Sequence, residues 1–334
     1  MKLTFEQIKS ITKGAARVVM DNGKVKFLRF TEAQERLYEQ VGGEKNFYKK
    51  TFATAGVRLE FVTSSRSLSL KIDASYGSSR TFFNHDIYVN GEHRYSLGAD
   101  INSSPDNHVT AEGLYALGDG KKTVCIYFPW SVCSELISLE IDNGSSIAPV
   151  THSRKILMFG DSITHGYDAA HPSLSYASLL TDALDAEGIN KGIGGEVFRA
   201  PLAALPENYT PDIITVAYGS NDWSRGDKQA FLENSEGFYR GLSALYPNTK
   251  IFALAPIWRG DMDRITGVGR FDFMAERLRE IAKDVPNMVV IDCIDFVPHE
   301  ASMFSPDVLH PNFLGFSHYA KGVIGAVKGE LGIE

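Results

Sequence analysis

Residues 155–166, KILMFGDSITHG, decide the fold of the second half of the chain. The run KILMF is continuously apolar, which is typical of a strand buried on both faces of a sheet. The motif Gly160-Asp161-Ser162 follows at once, so Ser162 is predicted to lie just past the end of that strand, exposed at the sheet edge. The flanking glycines permit tight turns and the close approach of a ligand. Taken alone, Ser162 could equally be only the cap of the next helix.

Three further apolar runs have the same character, at 212–218, 250–255 and 288–292. Helix-like stretches separate and follow them, at 175–188, 227–246, 270–284 and 313–331. Buried strands that alternate with helices predict a parallel sheet covered on both sides, and hence an α/β domain over 154–334. Because sites in such sheets form at the carboxyl ends of the strands, the chemistry is expected directly after the apolar runs.

The first half of the chain has a different period. Leu68, Leu70 and Ile72 alternate with polar residues, which places the apolar side chains on one face of a strand. Asn90-Gly91 stands between two strand-like runs and is a strong two-residue hairpin signal. Further β-rich runs at 57–63 and 122–128 complete the prediction of an all-β, jelly-roll-type sandwich over 1–150. A short helix is expected inside it at 31–41, and a linker at 142–153.

Length, charge and composition limit the class of protein. A chain of 334 residues is expected to form two domains. The net charge of −7 argues against a nucleic-acid partner, and no stretch approaches the ~20 apolar residues of a membrane span. The N-terminus has no apolar run of signal-peptide length, and the three cysteines match no zinc motif, so a reducing, cytoplasmic location is expected unless a leader was removed. The oligomeric state is left open.

Two other motifs carry candidate catalytic side chains. GSNDW at 219–223 follows the second apolar run, where Asn221 could present a side-chain N–H to a developing oxyanion. DVLHP at 307–311 precedes the last helix, where one short turn could place the Asp307 carboxylate against the His310 imidazole. Singly, a polar turn and a structural histidine explain these motifs better. In the order serine, asparagine, Asp-x-x-His, and all at one sheet edge, they point to nucleophilic catalysis.

With these motifs in this order, the chain from about 154 to 334 resembles the SGNH (GDSL-like) hydrolases. The resemblance implies a three-layer, flavodoxin-like domain and a serine esterase in which Ser162 is the nucleophile, His310 the base and Asp307 its orienting acid. It also implies an oxyanion hole from the N–H groups of Ser162 and Gly195 and the side chain of Asn221. Gly194 is the alternative to Gly195. No metal or organic cofactor is needed.

A β-sandwich followed by such a domain is similar to two-domain carbohydrate esterases, which implies removal of acetyl groups from saccharides. Deacetylation of imported oligosaccharides would suit a chain without a secretion signal. Four aromatic residues are candidates for stacking on a sugar, although core packing is the alternative for each: Trp130, Tyr167, Trp223 and Trp258. Two rival functions stay open. One is a lipid-directed esterase, lysophospholipase or thioesterase, and the other is a sugar-binding protein with a silent hydrolase domain.

Overall fold

The computed structural model describes residues 1–43 and 46–333, and its chain divides into two units. The first unit comprises Met1–Thr31, Tyr48–His152 and His171–Ser173, and the second comprises Glu32–Phe47, Ser153–Ala170 and Leu174–Glu334. The domain limits of 1–150 and 154–334 stay predictions. The helix at 31–41 was expected inside the sandwich, but residues 32–41 group with the second unit.

Each predicted helical stretch contains a helix in the described residues, and further short helices lie outside those stretches. The last helix has the predicted limits of 313–331, and the stretch at 175–188 ends five residues early. In chain order they are α1 (Phe5–Ile11), α2 (Glu32–Val41), α3 (Phe47–Lys50), α4 (Ser162–His165), α5 (Tyr176–Ala183), α6 (Ala200–Ala203), α7 (Ser220–Arg225), α8 (Lys228–Leu245), α9 (Phe273–Ala282) and α10 (Phe313–Leu331). Short 3₁₀ turns lie at Ile101–Ser103, Pro172–Leu174 and Ala301–Met303. None of the helices in this described part combines the length and apolar character that a bilayer-spanning segment requires.

The first unit consists of two antiparallel sheets. Its strands are β1 (Thr12–Lys13), β2 (Arg17–Asp21), β3 (Lys24–Leu28), β4 (Arg58–Thr63), β5 (Ser67–Tyr76), β6 (Phe82–Val89), β7 (Glu92–Asp100), β8 (Val109–Ala116), β9 (Lys122–Tyr127), β10 (Val132–Ile141) and β11 (Ile147–Pro149). One sheet has the order β1-β4-β9-β6-β7, with β11 also on β4, and the other has the order β2-β3-β10-β5-β8. The prediction of antiparallel β-structure is therefore confirmed, while jelly-roll connectivity stays a prediction.

The predicted alternation and hairpin both appear in this unit. Leu68, Leu70 and Ile72 are fully buried in a core to which both sheets contribute. Asn90 and Gly91 have φ values of 52° and 80°, and they join β6 to β7. Positive φ at both central residues is what a type I′ hairpin turn requires. The predicted linker at 142–153 is wrong in part, because β11 within it pairs with β4.

The second unit is built on a parallel sheet of order β13-β12-β14-β15-β16. Its strands are β12 (Arg154–Gly160), β13 (Ala186–Asn190), β14 (Ile213–Ala217), β15 (Lys250–Leu254) and β16 (Met288–Ile291). This is the flavodoxin-like strand order, in which the first strand has the second on one side and the third on the other. The predicted flavodoxin-like α/β fold is confirmed. Since the order reverses at β12, ligands are expected in the crevice beyond its carboxyl end.

Helices cover both faces of this parallel sheet. Met158 packs in an apolar cluster with residues of α5 and α10, whereas its neighbour Phe159 meets Phe238 of α8 at a ring distance of 5.4 Å. Successive side chains of a strand point to opposite faces, so these two contacts place helices on both sides. The predicted three layers are present, with β12 as an interior strand of the sheet.

Candidate active site

Ser162 lies at the point where β12 ends and α4 begins. Asp161 caps this short helix, because its side chain accepts a hydrogen bond from the Ile163 N–H at 3.0 Å. Gly166 ends the helix with a φ of 106°, a left-handed conformation that favours glycine. The strand, the cap and the short helix therefore hold Ser162 at the carboxyl edge of the sheet, as the sequence predicts.

His310, near the C-terminal end of the second unit, contacts Ser162, and Asp307 contacts His310. His310 Nε2 lies 2.7 Å from Ser162 Oγ, and His310 Nδ1 lies 2.5 Å from Asp307 Oδ2. A proton on Nδ1 would be donated to Asp307, which leaves Nε2 to accept from the serine hydroxyl. Ser162 and His310 are both buried. The three side chains thus form a continuous series in the geometry that nucleophilic catalysis needs.

A tight turn before α10 presents Asp307 and His310 together. Asp307 Oδ1 accepts the backbone N–H groups of Leu309 and His310 at 3.0 and 3.1 Å, while Ser305 N–H donates to the His310 carbonyl at 2.8 Å. Burial alone would raise the pKa of Asp307, but its bonds with the His310 side chain and backbone outweigh it and hold the pKa well below its ordinary range. The carboxylate therefore stays ionised beside the imidazole.

Asn221 follows β14 at the start of α7, close to the first motif. Its side-chain N–H group donates to the Glu196 carbonyl at 3.0 Å and lies 3.4 Å from Asp161 Oδ2. Its Oδ1 accepts from the Arg225 guanidinium, one helical turn further along α7. Arg225 thereby fixes which way the amide faces. Sequence reasoning missed Arg225, although the (i, i+4) spacing was a signal that could have identified it.

The two glycine candidates for the oxyanion hole are Gly195 and Gly194. The Gly194 N–H already donates to His165 Nδ1 at 3.2 Å, so the alternative residue is engaged elsewhere. Gly195 has a φ of 89°, a conformation that glycine adopts at no steric cost. Its role in binding the oxyanion stays a prediction.

Two carboxyl groups within these motifs are buried. Burial raises the pKa of Asp161 to about 6 and that of Asp222 to about 7. Asp222 Oδ1 accepts the Phe198 N–H at 3.1 Å, while its second oxygen is buried without a hydrogen-bond partner in the described structure. Neither shift could be read from the sequence, because each depends on the burial that folding imposes.

Two of the four predicted sugar-stacking residues do not have the exposure that this role needs. Trp223 is fully buried, its indole N–H donates to the Gly269 carbonyl at 3.0 Å, and the Arg259 guanidinium lies 4.9 Å from its ring. Tyr167 is also buried, and its ring stacks on His310 at 5.5 Å. The predictions that they stack on a sugar are wrong.

The other two aromatic residues stay predictions. Trp258 is half-buried and stacks on His299 with a ring distance of 5.4 Å, which covers one face of the indole. Trp130 lies between β9 and β10 of the first unit and is also half-buried.

Among the residues that the structure describes, the fold brings together two sets of side chains that could hold a metal. One is Asp168, Asp307 and His310 at the candidate site, and the other is Asp86, His93 and His171 in the first unit. In the second set, His171 Nδ1 already lies 2.6 Å from Asp86 Oδ1. The Asp86 carboxylate therefore has a hydrogen-bond partner that does not depend on a metal ion.

The fold and the site together define a class, a flavodoxin-like α/β domain with a hydrogen-bonded serine, histidine and aspartate at the carboxyl edge of its sheet. Residues 158–316 match the model of the GDSL-like lipase/acylhydrolase family. An arylesterase from Vibrio mimicus is 37% identical over 81 residues, which cover 22% of this chain and 40% of that protein. This chain thus matches less than half the length of that relative. Residues 158–316 thus form a GDSL-like lipase/acylhydrolase domain, which confirms the resemblance predicted for this part of the chain.

Solved structures match parts of the chain that include both units. The salicylyl-acyltransferase SsfX3 of a tetracycline biosynthetic pathway has a TM-score of 0.83 at 21% identity, over 97% of this chain and 96% of its own. A family two carbohydrate esterase from Cellvibrio japonicus has a TM-score of 0.68 at 18% identity, over 98% and 97%. The corresponding enzyme from Clostridium thermocellum, in complex with cellohexaose, has 0.65 at 18%, over 84% and 94%. At these identities the likeness establishes the fold.

Proposed function

We propose that the protein hydrolyses carboxylic esters through a covalent acyl-enzyme formed on Ser162. The observation that carries the proposal is the unbroken series of contacts from Ser162 Oγ to His310 Nε2 at 2.7 Å and from His310 Nδ1 to Asp307 at 2.5 Å. In this arrangement the serine hydroxyl has a base within hydrogen-bond reach, and the base has a carboxylate that orients it.

The reaction then follows from the positions of these atoms. Ser162 Oγ attacks the ester carbonyl while His310 Nε2 accepts its proton. His310 returns that proton to the departing alcohol, and the acyl group remains on Ser162. A water molecule, activated in turn by His310, attacks the acyl-enzyme and releases the acid. Asp307 stabilises the imidazolium in both half-reactions without itself taking the proton.

The negative charge on the carbonyl oxygen needs donors that are in place before the reaction. The backbone N–H groups of Ser162 and Gly195 and the amide of Asn221 are the proposed donors. Asn221 is suited to this role because Arg225 holds its oxygen, which keeps the N–H side of the amide toward Glu196 and Asp161. Removing one such donor typically costs about 100- to 1,000-fold in kcat.

Acetyl groups on saccharides are the proposed substrate class. Support comes from the β-rich first unit and from the likeness in fold to a family two carbohydrate esterase over 98% of this chain. A lipid-directed esterase, lysophospholipase or thioesterase would need an apolar groove for a long acyl chain. Rates on p-nitrophenyl acetate and p-nitrophenyl octanoate separate these functions. A preference for octanoate would contradict the acetyl proposal.

Substitution of the nucleophile tests the mechanism directly. Ser162→Ala is expected to abolish both ester turnover and labelling by a fluorophosphonate, while the thermal unfolding midpoint stays near that of the wild type. Ser235→Ala is a matched control, because this buried serine of α8 donates to the Leu232 carbonyl of its own helix. Labelling that persists in Ser162→Ala would overturn the assignment.

The substrate class is tested separately by acetate release from a panel of acetylated oligosaccharides. Labelling of Ser162 without release of acetate from any saccharide would keep the esterase mechanism and reject the substrate. A wild-type protein that is neither labelled nor active would instead favour the alternative of a silent sugar-binding protein.

A further inference from the structure

The turn that follows the nucleophile returns to the catalytic histidine. Gly166 N–H and Tyr167 N–H both donate to the Ser162 carbonyl, at 3.1 and 3.0 Å. The Tyr167 ring stacks on His310, and Asp168 Oδ2 lies 3.7 Å from His310 Nδ1. Tyr167 and Asp168 of this turn therefore lie beside the imidazole of His310. The backbone hydrogen bonds to the Ser162 carbonyl hold the turn against the serine.

Two carboxylates thus face one nitrogen of His310. Asp307 is the nearer, at 2.5 Å, but its side chain is 39% exposed, whereas the side chain of Asp168 is 16% exposed. A charge that is less exposed to water acts through a lower effective dielectric constant, so a given distance corresponds to a stronger interaction. The more distant carboxylate is therefore placed to contribute to the stability of a charged imidazole.

The backbone of Asp168 allows its charge to be tested separately from its shape. Its φ is 65°, in the left-handed region that asparagine and aspartate tolerate better than other side chains. Asparagine at this position would keep the size and the backbone preference and remove only the negative charge. Asp185 of the same unit has a φ of 46° and caps the opposite end of the sheet, where it accepts the Ser153 N–H. It offers a control with the same backbone requirement.

We propose that Asp168 is a second positioning carboxylate for His310, which stabilises the imidazolium formed when Ser162 gives up its proton and partly replaces Asp307 when that residue is lost. This inference rests on the proposed function of Ser162 and His310. It goes beyond the Asp-x-x-His motif, because Asp168 comes from a different part of the chain and from the nucleophile's own turn.

A double-mutant cycle measures the shared role. Asp168→Asn alone is expected to lower the rate of Ser162 labelling by a fluorophosphonate by about 10-fold, the effect of one partly screened charge near 4 Å. Asp307→Ala alone is expected to cost no more than about 100-fold, and both changes together about 10,000-fold, which is the loss when a triad acid has no substitute. Asp185→Asn should leave the rate unchanged. If the loss of labelling rate in the double variant equals the product of the two single losses, the shared role is overturned.

The pH dependence separates an electrostatic role from a structural one. Without the Asp168 charge, protonation of His310 becomes less favourable, so the acidic limb of the labelling rate should move to lower pH in Asp168→Asn. If Asp168→Asn lowers the maximal labelling rate but leaves the pH midpoint of the acidic limb unchanged, Asp168 only shapes the turn and the proposal is refuted. Wild-type labelling combined with no effect of Asp168→Asn would reject this inference alone, whereas an unlabelled wild type would reject the proposed function as well.

Discussion

The backbone of Gly260 lies against the turn that carries the acid and the base, and this contact supports a quantitative prediction. Gly260 N–H donates to the Val308 carbonyl at 2.9 Å. Val308 has a φ of 50°, which is unusual for a β-branched residue and signals strain that the surroundings must hold. A side chain at position 260 would press directly on this strained residue, between Asp307 and His310.

The size of the effect follows from the distances. A Cβ atom at Gly260 would lie 2.7 Å from Val308 Cγ1 and 3.0 Å from its Cβ, whereas ordinary contact begins at 3.4 Å. In Gly260→Ala, Val308 must therefore retreat by about 0.7 Å, and the attached turn moves with it. Since a displacement of about 1 Å in a catalytic group can cost about 100-fold, we expect kcat to fall by about 10- to 100-fold with little change in KM.

The assay is steady-state hydrolysis of p-nitrophenyl acetate, with thermal unfolding to confirm that the variant is folded. Gly329→Ala in α10 is the matched control, because a Cβ there meets nothing within 4 Å. Val308→Gly in the Gly260→Ala background should restore most of kcat, since glycine removes both clashing atoms and suits the positive φ. Full kcat in Gly260→Ala, or no recovery in the double variant, would refute the reasoning.

Three further predictions concern residues that support the site. Arg225→Leu releases the Asn221 amide and should lower kcat by about 10- to 100-fold, more than Arg225→Lys does; equal kcat values for the two would contradict this role. Lys191→Met leaves the Glu207 carboxylate, 2.9 Å away and equally buried, without its cation, so urea unfolding should show a loss of about 3–5 kcal/mol. Adding Glu207→Leu should recover much of that loss, and a double variant as unstable as the single would argue against it. Burial raises the pKa of Asp222 from 3.8 to about 7, so the folded state binds the proton more tightly than the unfolded state does. The free energy of unfolding should therefore fall as the pH rises from about 4 to about 7. Thermal melts of Asp222→Asn should show a flatter decline over that range, and an unchanged slope would contradict the assignment.

The buried strands could be predicted because their signal is local. Four continuous apolar runs correspond to β12, β14, β15 and β16. The fifth strand, Ala186–Asn190, was missed, and the predicted helix at 175–188 runs into it. Its sequence, AEGIN, contains a charged residue, a glycine and an asparagine, which suits an edge strand that pairs on one side only. Pairing with β12 makes it a strand, and that partner lies outside any local window.

The aromatic residues show a different limit. The sequence marks Trp223 and Tyr167 as candidates for sugar stacking because they stand beside the motifs. Whether such a ring faces solvent or the interior depends on which elements cover it. Trp223 is covered by the segment around Gly269, whose carbonyl accepts its indole N–H, and Tyr167 by His310. Neither neighbour is close in sequence.

The sequence by itself determined the α/β class of the second half, the place of Ser162 directly after a buried strand, and the presence of Asp307 and His310 on one turn before the last helix. These depend on hydrophobic period and short-range spacing, which act over a few residues. Only the tertiary structure decided that His310 reaches Ser162 across 148 residues, that Arg225 holds the Asn221 amide, and that Asp168 supplies a second carboxylate. The physical reason is that such distances are set by the packing of the sheet and its helices, and burial then sets the charges that the site can hold.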